Sequence, residues 1–311
     1  MNHEIDYHYP PDEGHKIDDG NFHVWSPSCF WGDQIFHLVT AKRFADGKNI
    51  IIHTSRDAWA GATQTWSHMN FDILKFWTAF NFVKGIVFDV SQRSFQLEDI
   101  VRSMFWVKEM AHTISTSPLL ESNTYNIAED IDFFSLPRFS DNKQHYINDW
   151  NDPTKVAVFQ PMSTIHKDKN NLHLPPWDES IKALLSKGYE IVVIGSAQDR
   201  QDIEKYYPDL LERYPMRDLI GKTSMFESID LLMNHSSFVL SCDSWSTWYG
   251  IASRKKTAAA VNKGWLSVGS PYEHLSTHYY QAFGNEDIYK TCFEGSDHCD
   301  TTLANWINEN A

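Results

Sequence analysis

The sequence predicts an α/β protein with two Rossmann-like domains, each built on a parallel sheet, facing a central cleft. Three observations carry this prediction. Short apolar runs rich in Val and Ile alternate with amphipathic helical stretches, the pattern of a parallel α/β sheet. A polar stretch from Leu136 to Pro153, "LPRFSDNKQHYINDWNDP", interrupts that alternation and reads as a link. The alternation then restarts. The expected domains are residues 1–150 and 151–311.

In the first half, residues 1–20 read as a polar arm. Phe22–Ser26, "FHVWS", is a short strand. "DQIFHLVTAKRFADG" is a helix with Ile35, Phe36, Leu38, Val39 and Phe44 on one side, and Gly47 stops it. "NIIIHTS" and "GIVFDVS" are buried strands. A long helical stretch is expected from Phe95 to about Ile114.

The second half is more regular. "KVAVFQP" is a strand, and "WDESIKALLSKG" is a helix ending at Gly188. "YEIVVIGS" is a buried strand followed by a loop, "GSAQDR". Then come a helix, "MFESIDLLMNHS", a strand, "SFVLSCDS", a helix, "WSTWYGIAS", and a last short strand, "KTAAAVN". A helix is expected near the end at "TTLANWINEN".

Composition narrows the function classes. A formal charge of −14 argues against broad attraction to nucleic-acid phosphates or anionic membranes. No apolar run reaches the length of a membrane span, so no stable membrane insertion is expected. The four cysteines, Cys29, Cys242, Cys292 and Cys299, are scattered and form no C-x-x-C pair. With a polar, acidic N-terminus, they read as reduced thiols of a cytoplasmic chain.

In an open α/β sheet, ligands bind beyond the carboxyl ends of the strands. Three loops of the second half follow such ends: "PMSTIHKDK", "GSAQDR" and "CDSWST". They offer Ser163, Thr164, Lys167, Lys169, Gly195, Ser196, Asp243, Ser244 and Ser246. Hydroxyls, lysines and helix-start N–H groups suit a diphosphate. The plain alternative is that Asp243 or Ser244 only caps the next helix, and the two roles are compatible. Gly221-Lys222-Thr223-Ser224 spells the tail of a P-loop. The P-loop's earlier glycine falls on Met216, so the triphosphate reading fails.

The stretch "LIGKTSMFESIDLLMNHSSFVLSCDSWSTWYGIAS" resembles the C-terminal signature of glycosyltransferase family 9, the ADP-heptose:lipopolysaccharide heptosyltransferases. "FQPMSTIHKDK…PPW" and "YEIVVIGSAQD" are similar to that family's preceding strands and loops. Gly32-Asp33 resembles its first-helix start. The resemblance implies a GT-B fold and inverting, metal-independent transfer of a sugar from a nucleotide-diphosphate sugar. It implies no cofactor beyond that donor substrate. Asp33 would be the catalytic base, against the alternative of a helix cap. Lys167 or Lys169, with Ser163, Thr164 and the amides near Ser244, would hold the diphosphate. Gly221, Lys222, Thr223 and Met225 would border the nucleoside. Trp245 and Trp248 stand where the family has Gly and His, so the sugar pocket is expected to differ.

The acceptor is expected to be a glycan or another hydroxyl-bearing molecule. The alternative is a nucleic-acid base, which the aromatic content would suit by stacking. A non-catalytic nucleotide-sugar-binding protein is the reading from another class. Asp130-Ile131-Asp132 and the pair His274 and His278 read as surface groups, so no metal site is expected.

Overall fold

The computed structural model describes residues 6–8, 20–25, 45, 47–55, 76–77, 80–89, 101–102, 150–162, 175–261, 288–293 and 298–311. The chain divides into two compact units. One comprises Met1–Glu121 with Glu129–Asp132, and the other Ser122–Ala128 with Phe133–Ala311.

The first unit holds strands β1 (Asp6–His8), β2 (Phe22–Trp25), β3 (Ile50–Ser55), β4 (Val83–Asp89) and β5 (Val101–Arg102). They form one sheet in the order β1-β4-β3-β2-β5, and every pairing is parallel. Ile50, Ile51, Ile52, Val83 and Ile86 are buried, as the unbroken apolar runs require of a parallel sheet.

Two expectations fail in this unit. Part of the N-terminal arm is a strand: Asp6–His8 adds to the outer edge, with Asp6 opposite Gly85 and His8 opposite Val87. Its polar composition concealed this, because an edge strand needs only one ladder of hydrogen bonds. Inside the stretch expected to be helical, Val101–Arg102 pairs with Val24 and Trp25 instead. The free flank of β2 accepts that strand, and tertiary pairing overrides the local helical pattern.

The second unit begins with β6 (Val156–Gln160), a strand buried along its whole length. Helix α1 (Asp178–Ser186) follows, with Trp177, Ser180, Ile181 and Leu184 buried on one face at helical spacing. Gly188, at φ +81°, ends that helix as expected. Next come β7 (Glu190–Val193), α2 (Ala197–Tyr206), α3 (Leu210–Arg213) and β8 (Met216–Asp218). The remainder is α4 (Met225–His235), β9 (Phe238–Cys242), α5 (Trp245–Ala252), β10 (Lys256–Val261), β11 (Tyr289–Phe293) and α6 (Cys299–Asn310).

The polar run after Ser196 was expected as loop but forms α2. Ser196 accepts from the Asp199 N–H, and Asp199 accepts from the Ser196 N–H, closing a capping box. One apolar residue, Ile203, is its main anchor in the core, so the helix shows little periodicity.

Helix α1 has an unusual start. Trp177 occupies its N-cap in the left-handed region, at φ +65°, and supplies no capping side chain. The cap comes from α6. The Asp300 carboxylate accepts from the N–H groups of Glu179 (2.9 Å) and Ser180 (3.0 Å), and from the Ser180 hydroxyl (2.5 Å). At the other end, Lys187 donates to the Asn308 carbonyl (2.6 Å) and Lys256 to that of Asn310. Two cations therefore serve the carbonyl end of α6, where the helix dipole is negative.

The second sheet runs β11-β10-β9-β6-β7-β8, all parallel. Renumbered within the unit, this is the doubly wound order 3-2-1-4-5-6. The strand order reverses between β6 and β9. Their carboxyl ends lie side by side there, with Gln160 opposite Ser241.

Candidate functional site

The switch point between β6 and β9 is the place where such a sheet opens a crevice for a ligand. Beyond the end of β9 the chain enters α5 directly, with Ser244 as N-cap. Helix α5 lies close to the sheet because residue 250 is glycine. A Cβ there would come within 2.6 Å of Thr257 Oγ1 and 3.0 Å of Val239 Cγ2.

A buried chain of hydroxyls fixes the first turn of α5. Ser244 donates to Gln160 Oε1 (2.8 Å), while Gln160 Nε2 donates to the Met162 carbonyl (3.1 Å). The carbonyl can only accept, so the Gln160 amide has one orientation. Ser244 has one proton and gives it to Gln160. In its 2.9 Å contact with Ser246, the Ser246 hydroxyl must therefore donate. The Ser246 N–H also reaches Ser244 Oγ, at 3.3 Å. A second chain is ordered in the same way. Thr247 Oγ1 donates to the Cys242 carbonyl (2.9 Å), so Ser241 donates in its 2.6 Å contact with Thr247.

Each hydroxyl proton in this cluster is thus committed within the protein. The Ser246 and Thr247 N–H groups already donate to Ser244, so an anion arriving at the switch point would be met by the Trp245 N–H at the start of α5, not by the Ser244 hydroxyl. Ser244 ties the start of α5 to the end of β6.

The loops after β7 and β8 form a second part of the same carboxyl edge. Gly221 N–H donates to the Gly195 carbonyl (2.8 Å), joining the two turns. Gly221 has φ +70°, and a Cβ there would lie 3.0 Å from Ala197 Cα. Only glycine meets both demands without strain. Thr223 Oγ1 contacts Ser228 Oγ at 2.8 Å, and Ser224 caps α4 in a box with Glu227. The run that resembled a P-loop is therefore a close turn followed by a helix cap.

Charges gather at this turn. Arg200 donates to Asp218 Oδ2 (2.5 Å) and to the Ile220 carbonyl (3.3 Å). The exposed Lys222 donates to the Asp218 carbonyl (2.8 Å) and lies 3.5 Å from its carboxylate. Partial burial alone would push the Asp218 carboxyl up. The Arg200 hydrogen bond, the Ile220 N–H and the charges of Arg200 and Lys222 outweigh it, and hold that carboxyl below its ordinary value.

Residues 99–247, from just before β5 to the first turn of α5, match the family model described as glycosyltransferase family 9 (heptosyltransferase). That stretch of the chain is similar to glycosyltransferase family 9.

Several solved structures resemble this chain. E. coli ADP-heptose lps heptosyltransferase II is 12% identical, with 93% of this chain and 98% of that chain covered at a TM-score of 0.51. A glycosyl transferase family 9 protein from Veillonella parvula DSM 2008 is 12% identical, covering 89% and 87% at 0.47. E. coli heptosyltransferase WaaC, with ADP-2-deoxy-2-fluoro heptose, is 15% identical, covering 93% and 100% at 0.45. The first of these, above a TM-score of 0.5, shows the shared GT-B fold. No curated protein matches the sequence.

The structure places the expected site residues unevenly. Asp243 and Ser244 follow β9, Gly195 and Ser196 follow β7, and Gly221, Lys222, Thr223 and Met225 follow β8. All belong to the carboxyl edge of one parallel sheet. Met225 opens α4 and is partly buried. Trp245 and Trp248 are half-buried on α5, three residues apart and so on one side of it. The Trp245 ring stands edge-on to the buried Tyr249, with centroids 5.6 Å apart at 83°. Asp33, Ser163, Thr164, Lys167 and Lys169 lie outside the described residues, as do Asp130, Asp132, His274 and His278.

Gln160, Ser241 and Thr247 were not singled out in the sequence. The signal was there for two of them: Gln160 and Ser241 are polar residues ending otherwise apolar strands, "VAVFQ" and "FVLSC". Among the described residues, no group of three His, Cys, Asp or Glu could hold a metal ion, and no helix is long and apolar enough to cross a membrane.

Proposed function

We propose that this protein is a glycosyltransferase that moves a sugar from a nucleotide-diphosphate sugar to a hydroxyl of a glycan, with inversion at the anomeric carbon. The observation carrying this reading is α5. It starts at the topological switch point of a 3-2-1-4-5-6 sheet, inside the stretch matched by the family model.

In a single displacement, the acceptor oxygen bonds to the anomeric carbon as the bond from that carbon to the diphosphate oxygen breaks. The electron pair leaves with the diphosphate, and the acceptor's proton passes to a base. The Trp245 amide at the start of α5 suits the departing charge, being fixed in advance by the hydroxyl chains. Lys167 or Lys169 would add a cation, with Ser163 and Thr164 as donors, on their position after β6. Gly195, Ser196, Gly221, Lys222, Thr223 and Met225 would border the nucleoside. Asp243, an acceptor, suits donor hydroxyls better than phosphates. Trp245 and Trp248 would shape the sugar pocket. Asp33, in the loop after β2, is the proposed base.

A carbohydrate acceptor is preferred to nucleic acid, since the net charge of −14 opposes a phosphate backbone. The similar E. coli protein is named an ADP-heptose lps heptosyltransferase, which makes an ADP-linked sugar the first donor to try. A thermal-shift screen of ADP, GDP, UDP and their sugar conjugates tests the reading. A ligand at a hundred times its Kd should add about 2.7 kcal/mol of apparent stability. If no nucleoside diphosphate or conjugate raises the melting temperature, the donor-site reading fails.

A further inference from the structure

We propose that Gln160 is a positioning residue of the donor site, locking Ser244 and the first turn of α5 in the geometry that receives a nucleoside diphosphate. The proposal rests on the donor-site reading above and adds a residue which that reading does not contain.

Gln160 is 4% exposed and ends a central strand, where apolar side chains are the rule. Burying an amide is costly unless both of its ends are satisfied. Here both are, and each in a single direction. Nε2 donates to the Met162 carbonyl at the entry to the β6 loop, and Oε1 accepts the Ser244 proton at the entry to α5. One side chain thus joins the two loops that flank the switch point. It also settles which way Ser244 points its proton. With that proton turned inward, the lone pairs of Ser244 remain for Ser246, whose N–H and hydroxyl both approach it.

Removing the acceptor would release the Ser244 proton and leave the Met162 carbonyl buried without its partner. A Leu side chain fills a similar volume in an apolar strand, so Gln160→Leu should fold. What it loses is the tie between β6 and α5. A nucleoside diphosphate depends on the aligned amide that opens α5, whereas a nucleoside without phosphate does not. The two ligands should therefore respond differently, which general damage to the domain would not produce.

The experiment is isothermal titration of the full chain with the nucleoside diphosphate that wild type binds best, and with its parent nucleoside. Gln160→Leu should weaken diphosphate binding about tenfold, the worth of one to two buried hydrogen bonds, while nucleoside binding stays within about twofold. Gln160→Glu keeps the shape but cannot donate to Met162 when ionised, and brings a negative charge beside the first turn. It should lose at least as much. Ser244→Ala should cost a similar factor, and the double variant Gln160→Leu/Ser244→Ala should add little further.

Wild-type affinity for the diphosphate in folded Gln160→Leu or Gln160→Glu overturns the proposal. So do an equal loss for the nucleoside and full additivity with Ser244→Ala. If wild type binds the diphosphate and the variants bind it equally, this inference falls alone. If wild type binds no nucleoside diphosphate, it falls together with the donor-site reading.

Discussion

Gly250→Ala places one methyl group at the tightest point between α5 and the sheet. The new Cβ would lie 2.6 Å from Thr257 Oγ1, 3.0 Å from Val239 Cγ2 and 3.2 Å from Val239 Cβ, where ordinary contact begins at 3.4 Å. Val239 is fully buried in a central strand and cannot retreat. Turning Thr257 aside would break its hydrogen bond to the Lys255 carbonyl, 2.9 Å, at a cost of about 1 kcal/mol. Moving α5 outward would instead stretch the hydroxyl chains at its start. Overpacking of this kind costs about 1–3 kcal/mol, against about 0.5–1 kcal/mol recovered from the better helix propensity of alanine. The net expectation is a loss of roughly 1–2 kcal/mol. For a unit of this size, that is a fall in Tm of about 2–8 °C. Thermal melting followed by circular dichroism gives the number. Thr257→Ala, added to Gly250→Ala, removes the nearest obstacle and should return part of the loss. A Tm equal to or above wild type for Gly250→Ala would show that α5 does not sit where we describe it.

Asp300→Ala removes the only side-chain cap we find on α1 among the described residues and strands three donors; a loss of about 2–3 kcal/mol is expected by urea denaturation, and Asp300→Asn should lose less. Asp218 has a lowered pKa in the folded chain, so its stabilising contribution is present above the unfolded value near 3.8 and is lost as pH falls through the folded value. Asp218→Asn should thus lower stability at neutral pH and flatten the acid limb of the stability profile; a limb as steep as wild type would refute this. Burial lowers the Lys255 pKa, so that group gains stability as pH rises toward its unfolded value, and Lys255→Met should be better tolerated at neutral pH than at alkaline pH. Asp33→Asn should leave donor binding intact and reduce transfer by roughly two to four orders of magnitude, measured as product formed per folded molecule; unchanged turnover would move the search for the base to Asp57, the next carboxylate in sequence after β3.

The second sheet was legible because its central strands are continuous apolar runs. "VAVF", "IVV" and "FVLSC" are buried on both faces, and strands of a parallel sheet covered on both sides read as such runs. Its edges were not. Strand β8 is three half-buried residues, "MRD", and β11 reads "YKTCF"; edge strands mix polar with apolar residues and give no run to detect. Helix α2 was hidden for a related reason, since its capping box stabilises it where an apolar face would otherwise be needed. At the site, the loops were found from strand ends, but the roles of their residues were not. Ser244 was read as a ligand donor or a cap, and its proton is spent on Gln160, a partner 84 residues away. Direction in a hydrogen-bond chain depends on every member, and no local window of sequence holds them all.

The cap that α6 supplies to α1 gives the second unit an order of events. Asp300 and the N–H groups it receives are 120 and 121 residues apart. During synthesis at about 5–20 residues per second, α1 leaves the ribosome with its first turn open, and waits several seconds for the residue that closes it. The strands β6 to β10 can pair in the meantime, because each finds a neighbour already made. The nascent unit would therefore pass through a state with its sheet assembled and one helix end unsealed. In that interval, the surface later covered by Leu303, Trp306 and Ile307 is open to chaperones, and a pulse-labelling experiment on stalled chains should find it there.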